Sequence, residues 1–387
     1  MISAGEASGD LHASELMAAL RRCDASAQFT FLGGDLMSAA ADGTAPLVHY
    51  RDMAYMGFAD VVRHLPQVRR NFRVAADAIR NAATRPDALV LVDYPSFNLR
   101  LARVAHSVGV PVYYYISPKV WAWKSHRVKP ISQLCRRVLS ILPFEEEFYR
   151  SRGYEHCTYV GNPSVEEIDR KLAAAPSREE FTAANGLNGT RQILALVPGS
   201  RRSEIRSNLP IMLQAARRAA AARPDLNLQL VVAGAPGIDR ELYAAIADLG
   251  EVPVIFGQAT ELMHHATAAL VTSGTAALEA ALARVPQVVC YRHDGSRLTY
   301  AVMSRVLKIR YVTLPNLIAN APVVPELLLH HCTPEAVYGH LTQLLPGGQC
   351  HGEQLRGYEE VRKCLGSNAA AITAANILTH DIGPTPS

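Results

Sequence analysis

The chain has 387 residues, of which 49% are hydrophobic and 19% charged, and its formal net charge is +4. This is the composition of a globular protein long enough for two or three domains, and it excludes a disordered or fibrous chain. No apolar run reaches the roughly 18 residues that cross a bilayer, so any membrane association is expected to be peripheral. The seven cysteines form no CxxC pair and fit no zinc spacing, and they read as reduced cytoplasmic thiols.

The opening MISAGEASGD leaves about four residues for a first strand, which reads as a clipped start or a misplaced start codon. Further strands are expected at 28–32, 47–50, 88–93, 110–115 and 138–142, with helices between them, for example at 11–22 and 97–107. Around 166–192 the pattern lapses into a charged stretch that reads as an interdomain connection. The alternation restarts with strands at 193–197, 227–233, 254–256, 268–272 and 287–291, followed by helical regions at 334–345 and 353–378. Alternating β and α segments predict parallel sheets covered by helices on both faces. Two such runs predict two doubly wound, Rossmann-like α/β domains facing a cleft, which is the GT-B architecture. The expected division is 1–165, 166–345 and a C-terminal helical tail at 346–387 that packs back on the first domain or across a dimer.

Four stretches could carry chemistry. GEASGD at 5–10 follows the short first strand and opens a helix; its small residues and helix N-terminus suit an anion, but taken alone the simpler reading is Ser8 or Asp10 capping the helix and Gly5 making the turn. LVLVDYPSFN at 89–98 puts Asp93 at the end of an apolar strand, with Ser96 sufficient to cap the next helix. Asp93 is then either a general base at a strand mouth or an ordinary turn-forming acid. LVPGSRRSEI at 196–205 follows a strand at the end where open α/β sheets bind ligands, and Ser200, Gly199 and Arg201 would suit a diphosphate; a surface loop with exposed arginines is the bland alternative. VTSGTAALEAAL at 271–282 reads as strand, tight turn and helix. With Thr275 as N-cap, a capping box needs an acid at 278, which is Leu, so Glu279 is left free for a ribose or for solvent.

Taken in order, AGEASGD, MGFADVV, DYPSFN, SPKVWAW, LPFEEEFY, VGNP, LVPGSRRSEI, SGTAALE and YVTLPNLIA strongly resemble the lipid-A-disaccharide synthase family over nearly the whole chain. The resemblance implies an inverting, metal-independent glycosyltransferase that needs no cofactor. It would join UDP-2,3-diacylglucosamine to 2,3-diacylglucosamine 1-phosphate (lipid X), giving a β-1,6-linked disaccharide 1-phosphate and UDP. It also implies Asp93 as catalytic base and Arg201 at the phosphates, with Ser200, Ser273, Gly274, Thr275 and Glu279 around UDP. Glu6, Ser8, Asp10 and Asn316 are implied near the acceptor. An enzyme resembling UDP-N-acetylglucosamine 2-epimerase is the alternative; it would act on UDP-N-acetylglucosamine with no lipid present.

Both tryptophans, Trp121 and Trp123, lie in a stretch from 94 to 144 with eight Lys or Arg and no Asp or Glu. Such one-sided charge suits phosphate, anionic lipid or nucleic acid. The mild net charge and the lack of a binding module speak against nucleic acid. Each buried methylene is worth about 0.8 kcal/mol, so a diacyl sugar is met at a bilayer surface. Trp121, Trp123, Lys119 and Lys124 are therefore candidate lipid contacts, with packing beneath the segment as the competing reading. A second candidate surface at 56–74 interleaves Phe58, Val61, Val62, Leu65, Val68 and Phe72 with four arginines, and an ordinary amphipathic helix explains it as well. The expected setting is the cytoplasmic face of the inner membrane of a Gram-negative bacterium, with a homodimer implied by the resemblance.

Overall fold

The computed structural model describes residues 1–53, 65–121, 125–246, 249–292 and 310–383. The MGFADVV motif with Phe58, Val61 and Val62, and also Trp123 and Lys124, lie outside the described residues. The chain divides into two compact units, one made of Met1–Pro163 with Ser367–Ser387, the other of Ser164–Gly366.

The first unit holds a seven-stranded sheet in the order β3-β2-β1-β4-β5-β6-β7. Its strands are β1 (Ile2–Ala4), β2 (Phe31–Gly33), β3 (Val48–His49), β4 (Leu89–Val92), β5 (Val112–Tyr115), β6 (Arg137–Ser140) and β7 (Cys157–Tyr159). All pairings are parallel. A parallel sheet covered on both sides buries every residue of its central strands, which is why LVLV and VYYY read as unbroken apolar runs. Leu89 and Leu91 enter the core on one face of β4, and Val90 and Val92 enter the core on the other.

The second unit repeats the plan with six strands in the order β10-β9-β8-β11-β12-β13, again all parallel. These are β8 (Gln192–Val197), β9 (Leu228–Gly234), β10 (Val254–Phe256), β11 (Ala266–Thr272), β12 (Gln287–Tyr291) and β13 (Glu326–Leu328). Leu194 and Leu196 face one core, while Ile193, Ala195 and Val197 face the other. In each sheet the winding reverses once, between β1 and β4 and between β8 and β11. Helices diverge at such a switch point and leave a crevice at the C-terminal strand ends.

Sequence and structure differ at three places. The edge strands β7 and β13 were not expected, because three-residue strands beside Glu and His carry no alternation to read. The expected connection at 166–192 is mostly helical, with helices Pro163–Ala173 and Arg178–Ala184. The second is started by a capping box: Glu180 N–H donates to Ser177 Oγ at 3.2 Å and Ser177 N–H to Glu180 Oε2 at 2.9 Å. The C-terminal helical region is two helices with different allegiances. His351–Leu365 lays Tyr358 into a core of the second unit, whereas Ala370–Ile382 lays Ala370, Ala374, Ala375 and Leu378 into a core of the first. Among the described residues no helix is long and apolar enough to cross a membrane.

The returning helix is fixed by a charge pair. Arg137 on β6 donates from Nε to Asp381 Oδ2 at 2.9 Å and from Nη2 to Oδ1 at 3.4 Å. Burial alone would raise the Asp381 pKa, but the hydrogen bonds and charge of Arg137 outweigh it and hold the carboxyl below its ordinary value. A depressed acid stabilises the fold above its unfolded pKa of about 3.9 and loses that contribution as pH falls through the folded value. Asp381→Asn is therefore expected to destabilise the first unit by about 1–3 kcal/mol at neutral pH. Denaturant titrations of mutant and parent should converge in acid; a difference that persists there would show that the pair is not its source.

Candidate functional site

The switch point of the first unit is built from the ends of β1 and β4, where Ala4 stands opposite Val92. The next residue on β4, Asp93, and then Tyr94 both adopt left-handed backbone, with φ of +43° and +45°. Two consecutive non-glycine residues in that region cost of the order of 1–3 kcal/mol each and persist only where the surroundings enforce them. The enforcing groups are at hand. Asn98, fully buried on helix Pro95–Ser107, donates from Nδ2 to Asp93 O at 2.7 Å and to Val92 O at 3.2 Å. Ser3 Oγ holds Asn98 by donating to its Oδ1 at 2.7 Å, and Tyr114 OH donates to Asp93 O at 2.7 Å. The Asp93 N–H donates to Ile116 O at 3.1 Å. Tyr94 folds back over β1, where a Cβ on Gly5 would lie 2.4 Å from its ring, so only glycine fits there.

This turn presents the Asp93 carboxyl at the mouth of the sheet. Its solvent-facing edge is exposed, yet the packing around it and then the nearby Glu6 charge raise its pKa above the ordinary value, against the opposing pull of Lys119 and the Tyr94 N–H. The helix after Asp93 begins at Pro95 with Tyr94 as its N-cap, so Ser96 lies inside the helix and does not cap it; its hydroxyl accepts from Arg127 Nη2 at 3.4 Å. Glu6 is the N-cap residue of helix Ala7–Cys23 and Ser8 lies in its first turn; both are exposed. Asp10 is spent elsewhere. Its buried carboxylate accepts from Gly34, Leu36 and Met37 N–H at 2.6, 3.1 and 3.2 Å, capping helix Asp35–Ala40 and not its own helix.

In the second unit, β8 ends beside β11, with Val197 opposite Val271. The two loops that follow differ in an important way. After β8, Gly199 sits at φ +116°, and a Cβ there would come within 2.6 Å of Glu204 Oε2. Glu204 reaches back from helix Arg202–Ala222 and accepts from Ser200 N–H at 3.2 Å and Arg201 N–H at 3.3 Å. It also accepts from Arg201 Nη1 at 3.0 Å. Of the Gly199 and Ser200 amides expected to cradle a diphosphate, that of Ser200 thus already holds a carboxylate, together with the Arg201 amide and guanidinium. After β11, Gly274 at φ +155° is the N-cap of helix Thr275–Leu282, so Thr275 is its first residue and not its cap. Among the described residues no side chain caps this helix and no acid lies in its first turn. Its positive end is left for an anion. One turn on, Glu279 is half-buried; burial raises its pKa, with Lys171 pulling it down and Glu167 pushing it up.

Asn316 is committed to the scaffold. It is buried, donates from Nδ2 to Val324 O and to Glu326 Oε1 at 2.9 Å each, and accepts from Val324 N–H at 2.8 Å. Of the tryptophans, Trp121 packs edge-on against Phe144 with centroids 5.1 Å apart, and its indole N–H donates to Glu145 Oε1 at 3.0 Å. Lys119 is exposed two residues before it.

Sequence reasoning missed Asn98, Tyr114, Glu145 and Glu204. Glu204 had a readable signal, three residues after Arg201 at capping-box spacing. The other three carry none.

A family model described as lipid-A-disaccharide synthetase matches residues 1–374. The lipid-A-disaccharide synthase of Myxococcus xanthus (strain DK1622) is 42% identical over 386 residues, covering 99% of this chain and 97% of that protein. The chain belongs to the lipid-A-disaccharide synthase family. The enzyme of the same name from Geobacter metallireducens is 36% identical over 385 residues, covering 99% of this chain and 97% of its own. Solved structures similar in shape include UDP-N-acetylglucosamine 2-epimerase from Neisseria meningitidis, with a TM-score of 0.62 at 12% identity and 98% of both chains covered. The calicheamicin glycosyltransferase CalG4 superposes with a TM-score of 0.57 at 16% identity and 99% of both chains. At such identities these two establish the GT-B fold alone. The epimerase alternative is set aside by sequence: the family match and the identities of 34% or more all carry the synthase name.

Sequence leads us to expect Asp93 as the base, and Asn98 holds the turn that carries it. Asn98→Ala is expected to lower kcat by roughly 10- to 100-fold through misplacement of Asp93, with little change in the affinity for UDP. Steady-state kinetics together with UDP binding by calorimetry check this. Wild-type kcat in a folded mutant would show that the turn holds itself.

Proposed function

We propose that the protein transfers a 2,3-diacylglucosaminyl group from UDP to the 6-hydroxyl of lipid X, with inversion, releasing UDP. The observation that carries this reading is Asp93. In a chain of this family, an acid stands at a topological switch point with its pKa raised by packing and by Glu6. A base with a raised pKa is better matched to taking a hydroxyl proton near neutrality than an ordinary carboxylate. Asp93 accepts the proton of the attacking 6-hydroxyl as the new C1–O6 bond forms. The C1–O bond to the diphosphate breaks on the opposite face, and its electron pair leaves with UDP.

Charge building on the departing UDP is met in the second unit. The open N-terminus of helix Thr275–Leu282, with Ser273, Gly274 and Thr275, is the proposed diphosphate seat, and Glu279 the acceptor for ribose hydroxyls. Arg201 is the proposed cation at the phosphates, its guanidinium steadied by Glu204. Ser200 is proposed beside it, while Glu6 and Ser8 border the acceptor at Asp93. Asp10 and Asn316 act on the scaffold, Asp10 by capping helix Asp35–Ala40 and Asn316 by binding Val324 and Glu326. The first unit therefore carries acceptor and base, and the second carries the nucleotide. The acyl chains place the reaction at a membrane surface, with Lys119 and its neighbours near the lipid phosphate.

The test is mass spectrometry of products from UDP-diacylglucosamine and lipid X with purified protein in EDTA. Disaccharide 1-phosphate and UDP are the expected products. Their absence, or epimerisation of UDP-N-acetylglucosamine supplied alone, would overturn the reading. Asp93→Asn should lower turnover by roughly 10²–10⁴-fold and leave UDP binding intact. In the parent, the acid limb of kcat/KM should lie above the ordinary aspartate value of about 3.9 and should be missing from the residual activity of the mutant. A mutant with the parental limb would show that another group is the base.

A further inference from the structure

The segment that follows β5 is tied down at both ends. At its start, Ile116 O accepts the backbone N–H of Asp93 at 3.1 Å, and Ile116 itself is left-handed at φ +58°. At the other end, Trp121 donates its indole N–H to Glu145 Oε1 at 3.0 Å. Between these ties Ser117, Pro118 and Val120 are buried, and Lys119 alone is exposed. Glu145 is an unusual anchor. It is 1% exposed, accepts a hydrogen bond from Ser140 Oγ at its second oxygen, and no Lys or Arg makes an ion pair with it among the described residues. A buried carboxyl without a contacting cation is costly and is kept only where its hydrogen bonds matter. Ser140 is itself fixed, accepting the Leu142 N–H at 3.0 Å.

We propose that Glu145 is a positioning residue for the transfer reaction: by holding Trp121 it stretches the 116–121 segment between two fixed points and keeps Lys119 beside Asp93. This rests on the function proposed above. Lys119 acts electrostatically on both carboxyls, pulling down the pKa of Asp93 and of Glu145. The segment thus carries a cation to the edge of the base, where it would meet a phosphate-bearing acceptor and restrain the basicity of Asp93. The remaining groups facing Glu145 are Ser117, Ser140 and Tyr149, with Cys157 within range of its charge. Burial raises Tyr149 and Cys157, which keeps both away from neutral titration.

The experiment has two arms. The first needs no substrate. Trp123→Phe leaves Trp121 as the single tryptophan, and its emission is followed across the neutral pH range with and without Glu145→Gln. Burial pushes Glu145 up to about 7, so a step in emission near that pH is expected in the parent and absent from the Gln variant. The same step in both, or emission that is identical in the two proteins at every pH, overturns the Trp121 anchor. The second arm compares Trp121→Phe, which keeps the ring on Phe144 but removes the donor, with Glu145→Gln, which keeps an acceptor oxygen. Trp121→Phe is expected to lower kcat by about 10- to 100-fold with little change in donor KM, whereas Glu145→Gln retains most of the activity. The kcat/KM acid limb of Trp121→Phe should move upward as Lys119 leaves Asp93. A folded Trp121→Phe protein with parental kcat and pH profile overturns the positioning role. If the parent itself makes no disaccharide, the proposed function has failed, and the emission arm still decides whether the anchor exists.

Discussion

A parallel sheet must send its chain back across one face or the other after every strand, and where it changes from one face to the other the covering helices part. Both units do this once, at β1/β4 and at β8/β11. Nearly everything chemical in the chain follows from those two points. Asp93 and the Gly5 turn sit at one, the Gly199 and Gly274 turns at the other, and each loop is followed by a helix N-terminus. The sheets bury their strands on both faces, so the strand mouths are where polar side chains escape the core.

The two switch points treat their exposed backbone differently. In the first unit the turn after β4 is strained and held, with Asn98 and Tyr114 both donating to the Asp93 carbonyl and Asn98 also to that of Val92. That suits a base, whose direction matters more than its adaptability. In the second unit one loop is filled by its own Glu204 and the other is open. The proposed diphosphate seat therefore joins one set of open amides to one set already satisfied. A single geometry cannot serve both tasks, and the fold does not attempt it.

The sequence displays the strands and the loops well because burial on both faces makes long apolar runs. Val254–Phe256 and Gln287–Tyr291 are where the pattern places them. Capping was less legible. Tyr94 precedes Pro95, and proline at the first helical position was the stronger signal than Ser96 as a cap. Asp10 looked like a residue of its own helix because nothing local says that Gly34, Leu36 and Met37 will turn their amides towards it. Asn316 and Asn98 were equally silent: each is defined by partners brought together only by packing. Glu145 stood first among three consecutive acids, and sequence cannot tell which of three will be buried.

The helix Ala370–Ile382 supplies four core residues to the first unit but follows the whole second unit in the chain. During synthesis the second unit is available to fold from contiguous sequence, while the first must wait with one face uncovered. Ile2, Leu16 and Val90 share that uncovered core. The unit translated first is thus the one completed last, and its apolar face stays open to chaperones, or to a neighbouring nascent chain, for as long as the second unit takes to emerge.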